Sequence, residues 1–365
     1  MASINTLPNL PVTGKRLILR ADCNVPIKNS VISDPSRLEA LIPTLDYLVK
    51  NETKAIIIAT HIGRPDPKNT NPALSTQHLI RWFSQNGYPV QFVPKGDRPG
   101  SQGLFLLENL RFFEGEQKQD RTFAQQLASY ADVYINDAWG AMHRNDTSIT
   151  LLAQQFDHAH RGIGLCVENE LKHLARLKER PDQPFVVILG GAKLADKLPL
   201  ITGLLSAPAA QRPAKIIVGG ALCLPLLAAQ DDIAKTVLKT AHDQKIPLIL
   251  PTDFIYENDV PVDIGPESIK TFCREIASAQ TIFMNGTMGK YECPDYAHGT
   301  EKILEAVAQN KGYTVIGGGD CAAAAHQYKL ADKISWVSTG GGATLAYLAA
   351  KNPDSDLPGL RVLGI

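Results

Sequence analysis

Phe185-Val186-Val187-Ile188-Leu189-Gly190-Gly191-Ala192-Lys193-Leu194-Ala195-Asp196-Lys197 decides the fold: five unbroken apolar residues, two glycines, then the opening of a helical stretch. That succession is a buried strand feeding a helix through a glycine turn, one βα unit of a parallel sheet. Three more such endings follow, with Lys215–Val218 ending at Gly219-Gly220, Thr314–Ile316 at Gly317-Gly318-Gly319-Asp320, and Ile334–Val337 at Ser338-Thr339-Gly340-Gly341-Gly342. The N-terminal half repeats the pattern with other chemistry at the strand ends. Leu17–Arg20 runs into Ala21-Asp22-Cys23-Asn24-Val25-Pro26, Ala55–Thr60 into His61-Ile62-Gly63-Arg64-Pro65, Leu104–Leu107 into Glu108-Asn109-Leu110-Arg111, and Val133–Ile135 into Asn136-Asp137-Ala138-Trp139-Gly140. Helical periodicity fills the intervals at Arg37–Val49, Thr76–Phe83, Arg121–Tyr130, Leu194–Leu205, Ile264–Ala277 and Thr300–Ala308. The expectation is an α/β chain of two doubly wound, parallel-sheet (Rossmann-like) domains, each binding a ligand beyond the carboxyl ends of its strands.

With 365 residues the chain is long enough for two cores. The boundary falls at the charged, singly striped helix around residues 167–180, which Pro181-Asp182-Gln183-Pro184 stops. This gives a first domain over 1–166, a hinge helix over 167–180, a second domain over 181–349, and a tail over 350–365. A hydrophobic share of 44% and a charged share of 20% are those of an ordinary soluble protein, and a net charge of +0 gives no reason to expect nucleic acid or a membrane surface as partner. The six cysteines form no C-x-x-C pair, which points to free thiols in a reducing compartment. Met1-Ala2-Ser3-Ile4-Asn5 carries no basic-then-apolar leader, and no apolar run reaches membrane-spanning length, so a cytoplasmic protein is expected.

Arg20, Arg37, His61, Arg64, Arg111 and Arg144 follow strand ends or open helical stretches, and guanidinium forks of this kind hold compact carboxylate- and phosphate-bearing molecules. Asp22 and Asn24 supply partners for substrate hydroxyls. His61 reads as either a general base or an anion-binding donor, the second being preferred because Gly63 and Arg64 follow it. In the second half, glycines before helix starts allow a phosphate to approach free N–H groups. Lys193 and Lys197, one turn apart, are expected on one helix face beside it. Asp320 is a candidate for Mg²⁺. The chain contains neither a complete Walker motif nor G-x-G-x-x-G, which excludes a P-loop NTPase and a standard dinucleotide fold.

Taken in order, R-x-D-x-N-V-P, H-I-G-R-P, L-L-E-N-L-R-F, N-D-A-W-G-x-x-H-R, G-G-A-K-x-x-D-K, D-I-G-P, N-G-x-M-G-x-x-E, G-G-G-D and S-T-G-G-G-A closely resemble the phosphoglycerate kinase family between about Lys15 and Ala343. The resemblance implies reversible phosphoryl transfer between 1,3-bisphosphoglycerate with ADP and 3-phosphoglycerate with ATP, Mg²⁺ accompanying the nucleotide, in a cytoplasmic monomer that closes about its hinge. It implies phosphoglycerate contacts at Asp22, Cys23, Asn24, Arg37, His61, Ile62, Gly63, Arg64, Arg111 and Arg144. Nucleotide contacts are implied at Lys193, Lys197, Gly219, Gly220, Asn285, Glu292, Gly318, Gly319, Asp320, Cys321 and Gly341, with Arg37, Lys193 and Lys197 stabilising the transferring group. It also implies a C-terminal tail packed on the first domain.

Some positions depart from the family pattern. Thr287 stands where proline is usual, Cys321 where Ser or Thr follows G-G-G-D, Cys23 where Phe is usual, and Trp139 where Phe is usual. Asn145-Asp146 replace a small residue and a histidine, and the segments 221–247 and 253–263 are short. A divergent paralogue that binds phosphoglycerate or nucleotide with weak or no turnover is the alternative these departures raise, because a thiol at Cys321 is a poor hydrogen-bonding substitute for a hydroxyl.

Overall fold

The computed structural model describes residues 4–28 and 30–364. Met1–Ser3 of the leader reading and Ile365 of the tail reading lie outside them. The chain divides into two compact units, Met1–Leu171 with Asn352–Ile365, and Lys172–Lys351.

In the first unit, β1 (Arg16–Ala21), β2 (Ala55–Ala59), β3 (Gln91–Val93), β4 (Gly103–Leu107), β5 (Val133–Asp137) and β6 (Arg161–Ile163) form one parallel sheet in the order β3-β4-β2-β1-β5-β6. The strands read as continuous apolar runs because both faces are covered, and Ile18, Ile57, Leu106 and Ile135 are fully buried. Chain order reverses direction between β1 and β5, where Arg20 lies opposite Asn136 and Ala21 opposite Asp137. Ligands of open α/β sheets bind at such a switch point, which puts Asp22-Cys23-Asn24 at its mouth.

The second unit repeats the plan. Its strands β7 (Phe185–Leu189), β8 (Lys215–Val218), β9 (Leu248–Ile249), β12 (Thr281–Asn285), β13 (Tyr313–Gly317) and β14 (Trp336–Val337) lie in the order β9-β8-β7-β12-β13-β14, with a separate antiparallel hairpin of β10 (Phe254–Glu257) and β11 (Val260–Ile264). The switch falls between β7 and β12, with Leu189 opposite Asn285. Both candidate crevices therefore open at the switch points of six-stranded parallel sheets, whose orders differ only on the side where β4 lies between β3 and β2.

The structure adds β3, β6, β9, β10, β11 and β12 to the eight strand endings read from sequence, and it breaks two of the helical stretches and shortens a third. Residues 36–39 and 42–50 are two helices with Pro43 in the first turn of the second, and 76–79 is a 3₁₀ turn before the helix at 80–85. Ile264 ends β11, and Gly265 then caps a helix that begins at Pro266, the position where a missing N–H costs nothing. Helix Leu165–Glu179 carries the division between the units. Its start is fixed in the first unit by Asp137 at the end of β5, whose carboxylate accepts from Val167 N at 3.1 Å. The segment Asn352–Ile365 belongs to the first unit: Gly359 N donates to Met142 O at 3.0 Å, and Leu360 and Leu363 are fully buried.

Candidate functional site

The mouth of the first sheet is held by hydrogen bonds running from loop to loop. Arg37 Nη1 donates to Asp22 Oδ1 and to the carbonyl of Asn24, both at 3.2 Å. Asn24 Oδ1 in turn accepts from Gly63 N at 2.8 Å, and Arg111 Nη1 donates to the carbonyl of Gly63. Asn109, fully buried, donates to the carbonyls of Ile62 and Leu74 at 2.8 Å and fixes the loop after β2. Arg144 pairs with Asp146 at 2.8 Å.

Beneath these groups lies a buried polar network. Arg20, fully buried, donates through Nε to Ser148 Oγ at 2.7 Å and through Nη1 to Ala21 O at 2.5 Å, while Nη2 lies 3.1 Å from His61 Nδ1. Ser148 Oγ donates to Glu116 Oε1 at 2.6 Å. An arginine only donates, so His61 Nδ1 is the acceptor and the ring proton sits on Nε2. Burial and the charges of Arg20, Arg111, Arg144 and Arg37 hold His61 well below its ordinary value, so it is neutral at physiological pH. That tautomer leaves the His61 Nε2–H as a donor rather than a proton acceptor. Arg111 is nearly as buried, and its Nε and Nη2 have no hydrogen-bond partner among the described residues. Burial and the charge of Arg144 pull it down to about 10. Donors without acceptors around a neutral histidine form a site for a carboxylate or phosphate.

Asp22, Asn24, Arg37, His61, Gly63, Arg111 and Arg144 are brought together here, and Arg64 stands exposed beside them. Cys23 and Ile62 of the expected contact set turn their side chains away from the crevice. Both side chains are buried in the apolar core, the Cys23 thiol is pushed up by burial to about 12, and the backbone N–H and C=O of Cys23 already serve Thr60 and Val25. The sequence reading put Arg20 among the anion-binding guanidiniums, whereas it donates to Ser148, Ala21 and His61, and that reading missed Glu116 and Ser148. A polar side chain inside an otherwise apolar strand was the available signal for Arg20.

In the second unit, the loops after β7, β8 and β12 stack backbone on backbone. Gly190 N donates to Asn285 O and Gly191 N to Thr287 O, both at 2.9 Å. Gly286 has φ +93°, and a Cβ there would lie 2.3 Å from the carbonyl oxygen of Gly190, so only glycine fits. Lys197 Nζ donates to Asn285 Oδ1, and Asn285 Nδ2 to Gly317 O at 2.7 Å. Burial lowers Lys197 from its ordinary value. Lys193 and Lys197 do not share a helix face: Lys193 is the exposed, extended cap residue before helix Leu194–Ser206, and only Lys197 lies within it.

A cavity of about 370 Å³ opens over these loops, with Gly191, Gly220, Glu292 and Asp320 on its lining and Phe254, Val260 and Pro261 of the β10–β11 hairpin among its apolar residues. The short segment 253–263 thus still supplies one side of it. Gly318, at φ +101° beside the Asn285 amide, precedes the helix that starts at Gly319. Gly341 lies against Gly318, where a Cβ would come within 3.3 Å of the Gly318 Cα, and Gly219 packs against Met288. Cys321 has its side chain fully buried in the core, and burial pushes the thiol up to about 12. No helix is long and apolar enough to cross a membrane among the described residues.

A family model described as phosphoglycerate kinase matches residues 7–351. The chain is 37% identical to the phosphoglycerate kinase of Fervidobacterium nodosum over 97% of each chain, and 36% identical to that of Pseudothermotoga lettingae over 98% of this chain and 97% of the relative. The first alignment runs over 405 positions against 365 residues here, so stretches of that relative have no counterpart in this chain. Among solved structures, phosphoglycerate kinase from Coxiella burnetii superposes with a TM-score of 0.83 at 27% identity, covering 99% of this chain and 98% of that one.

Proposed function

Since the chain belongs to the phosphoglycerate kinase family and is a phosphotransferase acting on a carboxyl group, we propose that its first unit binds phosphoglycerate and its second binds the magnesium nucleotide. The reaction is reversible phosphoryl transfer between 1,3-bisphosphoglycerate with ADP and 3-phosphoglycerate with ATP. The observation that carries the assignment of units is the set of buried donors around neutral His61, which calls for an anion and nothing larger than the loops admit.

In this reading Arg111, Arg144, Arg64 and the His61 Nε2–H hold the phosphoglycerate phosphate, while Asp22 and Asn24 orient its polar carbon skeleton. The attacking carboxylate is ionised at neutral pH, so no general base is needed and catalysis reduces to alignment and charge stabilisation. Arg37 from the first unit, with Lys193 and Lys197 from the second, would neutralise the transferring group. Asn285 holds the Lys197 ammonium in place, and the free N–H groups at the start of the helix after Gly318 offer further donors. The apolar hairpin residues and the glycine loops suit a flat base and a sugar.

Asp320 fits the metal: its carboxylate lines the cavity from the first turn of a helix whose N-terminus would receive the phosphates. Bound Mg²⁺ supplies charge neutralisation across the phosphate oxygens. Transfer between two units calls for closure about the helix Leu165–Glu179, which would also exclude water from the acyl phosphate. We take the working protein to be a cytoplasmic monomer that needs neither nucleic acid nor membrane, a reading supported by a net charge of +0 and by a sequence without a C-x-x-C pair.

The test is a coupled assay of ATP-dependent phosphorylation of 3-phosphoglycerate with Mg²⁺, run beside Arg37→Ala. Turnover in the parent that the substitution abolishes is expected. A parent that binds phosphoglycerate but does not turn over would favour the non-catalytic paralogue.

A further inference from the structure

We propose that Asp146 is a positioning residue of the anion crevice, presenting Arg144 and Arg111 to the phosphoglycerate through a single carboxylate. The inference rests on the reading of the first-unit crevice as the phosphoglycerate site. Asp146 is 6% exposed. Its Oδ2 accepts from Arg144 Nε at 2.8 Å and lies 3.8 Å from Arg111 Nη2. The short contact occupies the Nε edge of Arg144, so the outer fork of Nη1 and Nη2 is left for a bidentate anion.

The backbone that carries the carboxylate is itself held. The carbonyl of Asp146 accepts from Ile149 N at 2.9 Å and Thr150 N at 3.1 Å, closing a tight turn over residues 146–150. The same turn carries Ser148, which joins Arg20 to Glu116. One five-residue turn therefore sets three arginines: Arg20 through a hydroxyl, Arg144 through a hydrogen bond and Arg111 through charge. Without a carboxylate at 146, Arg111 and Arg144 would face each other as like charges, one of them nearly without solvent.

Two physical effects of this carboxylate oppose one another, and their signs differ. On Coulomb's law alone, a negative group in an anion site repels the ligand, so removing it would tighten binding. If the carboxylate's chief effect is to hold two guanidiniums in a receiving geometry, removing it weakens binding, because alignment of a bidentate fork is lost. The buried, directional contact at Arg144 Nε places the balance with geometry. Asp146 stands where the family resemblance leads one to expect histidine, a side chain without the fixed negative charge that could hold both arginines.

The experiment compares the full chain with Asp146→Asn and Asp146→Glu, measuring calorimetric binding of 3-phosphoglycerate, steady-state KM for each substrate, kcat, and thermal unfolding. For Asp146→Asn the Kd and KM for 3-phosphoglycerate are expected to rise about tenfold, with kcat at saturation and KM for ATP unchanged. Asp146→Glu, which keeps the charge but moves it outward, is expected to raise the same two constants about threefold. In an Arg144→Ala background, Asp146→Asn adds less than it does in the parent, since the larger part of its effect is transmitted through Arg144 and the rest through Arg111. Tighter or unchanged phosphoglycerate binding by Asp146→Asn, or full additivity with Arg144→Ala, overturns the proposal. If Asp146→Asn does not fold, an unchanged KM in Asp146→Glu overturns it. A parent chain that fails to bind 3-phosphoglycerate at all refutes the reading of the crevice, whereas a parent that binds and an unaffected Asn variant refute Asp146 alone.

Discussion

Replacing Arg20 by methionine tests the buried network on which the anion crevice rests. The substitution keeps an unbranched side chain of comparable reach in β1 but deletes the donors to Ser148 Oγ at 2.7 Å, Ala21 O at 2.5 Å and His61 Nδ1 at 3.1 Å. Glu116, buried and already pushed up to about 7 by its burial, loses the cation that opposes this shift. Breaking one side of a buried charge pair costs about 3–5 kcal/mol, and the lower figure applies because the Ser148 hydroxyl separates the two charges. Chemical unfolding of the full chain should therefore show the first unit weakened by about 3 kcal/mol in Arg20→Met. Adding Glu116→Gln removes the stranded carboxylate and should restore about half of that loss, a coupling of roughly 1.5 kcal/mol in a double-mutant cycle. Both variants should show a raised KM for 3-phosphoglycerate, because His61 Nδ1 has lost the donor that fixes its proton on Nε2. Stability unchanged in Arg20→Met, or additive effects of the two substitutions, would refute the reasoning.

Glu116 also sets a pH dependence. Its folded value lies above that of an exposed carboxyl, so the stability it contributes is present below about pH 4.5 and is lost as pH rises through about 7, an effect of about 3 kcal/mol. Subtracting the unfolding profile of Glu116→Gln from that of the parent should expose this slope, and a flat difference would remove the assignment. Lys197→Met, which deletes the ammonium held by Asn285, should lower kcat about a hundredfold or more while leaving the KM for 3-phosphoglycerate unchanged, as read in steady-state assays. Cys321→Ser should change turnover less than about twofold, because the buried thiol is not a ligand; a large gain would revive the impaired-paralogue reading. Gly286→Ala should weaken the second unit by about 2 kcal/mol or more and raise the KM for ATP, since the added methyl meets the Gly190 carbonyl.

Much of the fold is legible because a parallel strand covered on both faces is written as an unbroken apolar run, and Phe185–Leu189 and Ala55–Ala59 have no other reading. Thr281–Asn285 escaped that test although it lies at the switch of the second sheet. Only Ser278-Ala279-Gln280 separate it from the preceding helix, whose buried Ile276 merges with the strand's apolar run. The arginines of the crevice were legible from their places at strand ends and helix starts, but that Arg37 on the helix at 36–39 faces the mouth while Arg20 in β1 lies under it depends on how helix and sheet pack. Cys23, Ile62 and Cys321 show the same limit in reverse: they occupy motif positions and turn their side chains into the core. The Asp146 carboxylate was visible only as a departure, since a contact from 146 to 111 is set by how two loops pack.

The return of Asn352–Ile365 to the first unit has a consequence for the order in which the protein is made. As the chain leaves the ribosome, Lys172–Lys351 is complete in one stretch, while its predecessor still lacks the strand of contacts through which Gly359 meets Met142. The unit translated second can therefore be the first to finish folding. A nascent chain halted before Asn352 would hold a second unit with all its residues while the first still lacked the helix Pro358–Leu363, so residues made after the second unit complete the one made before it.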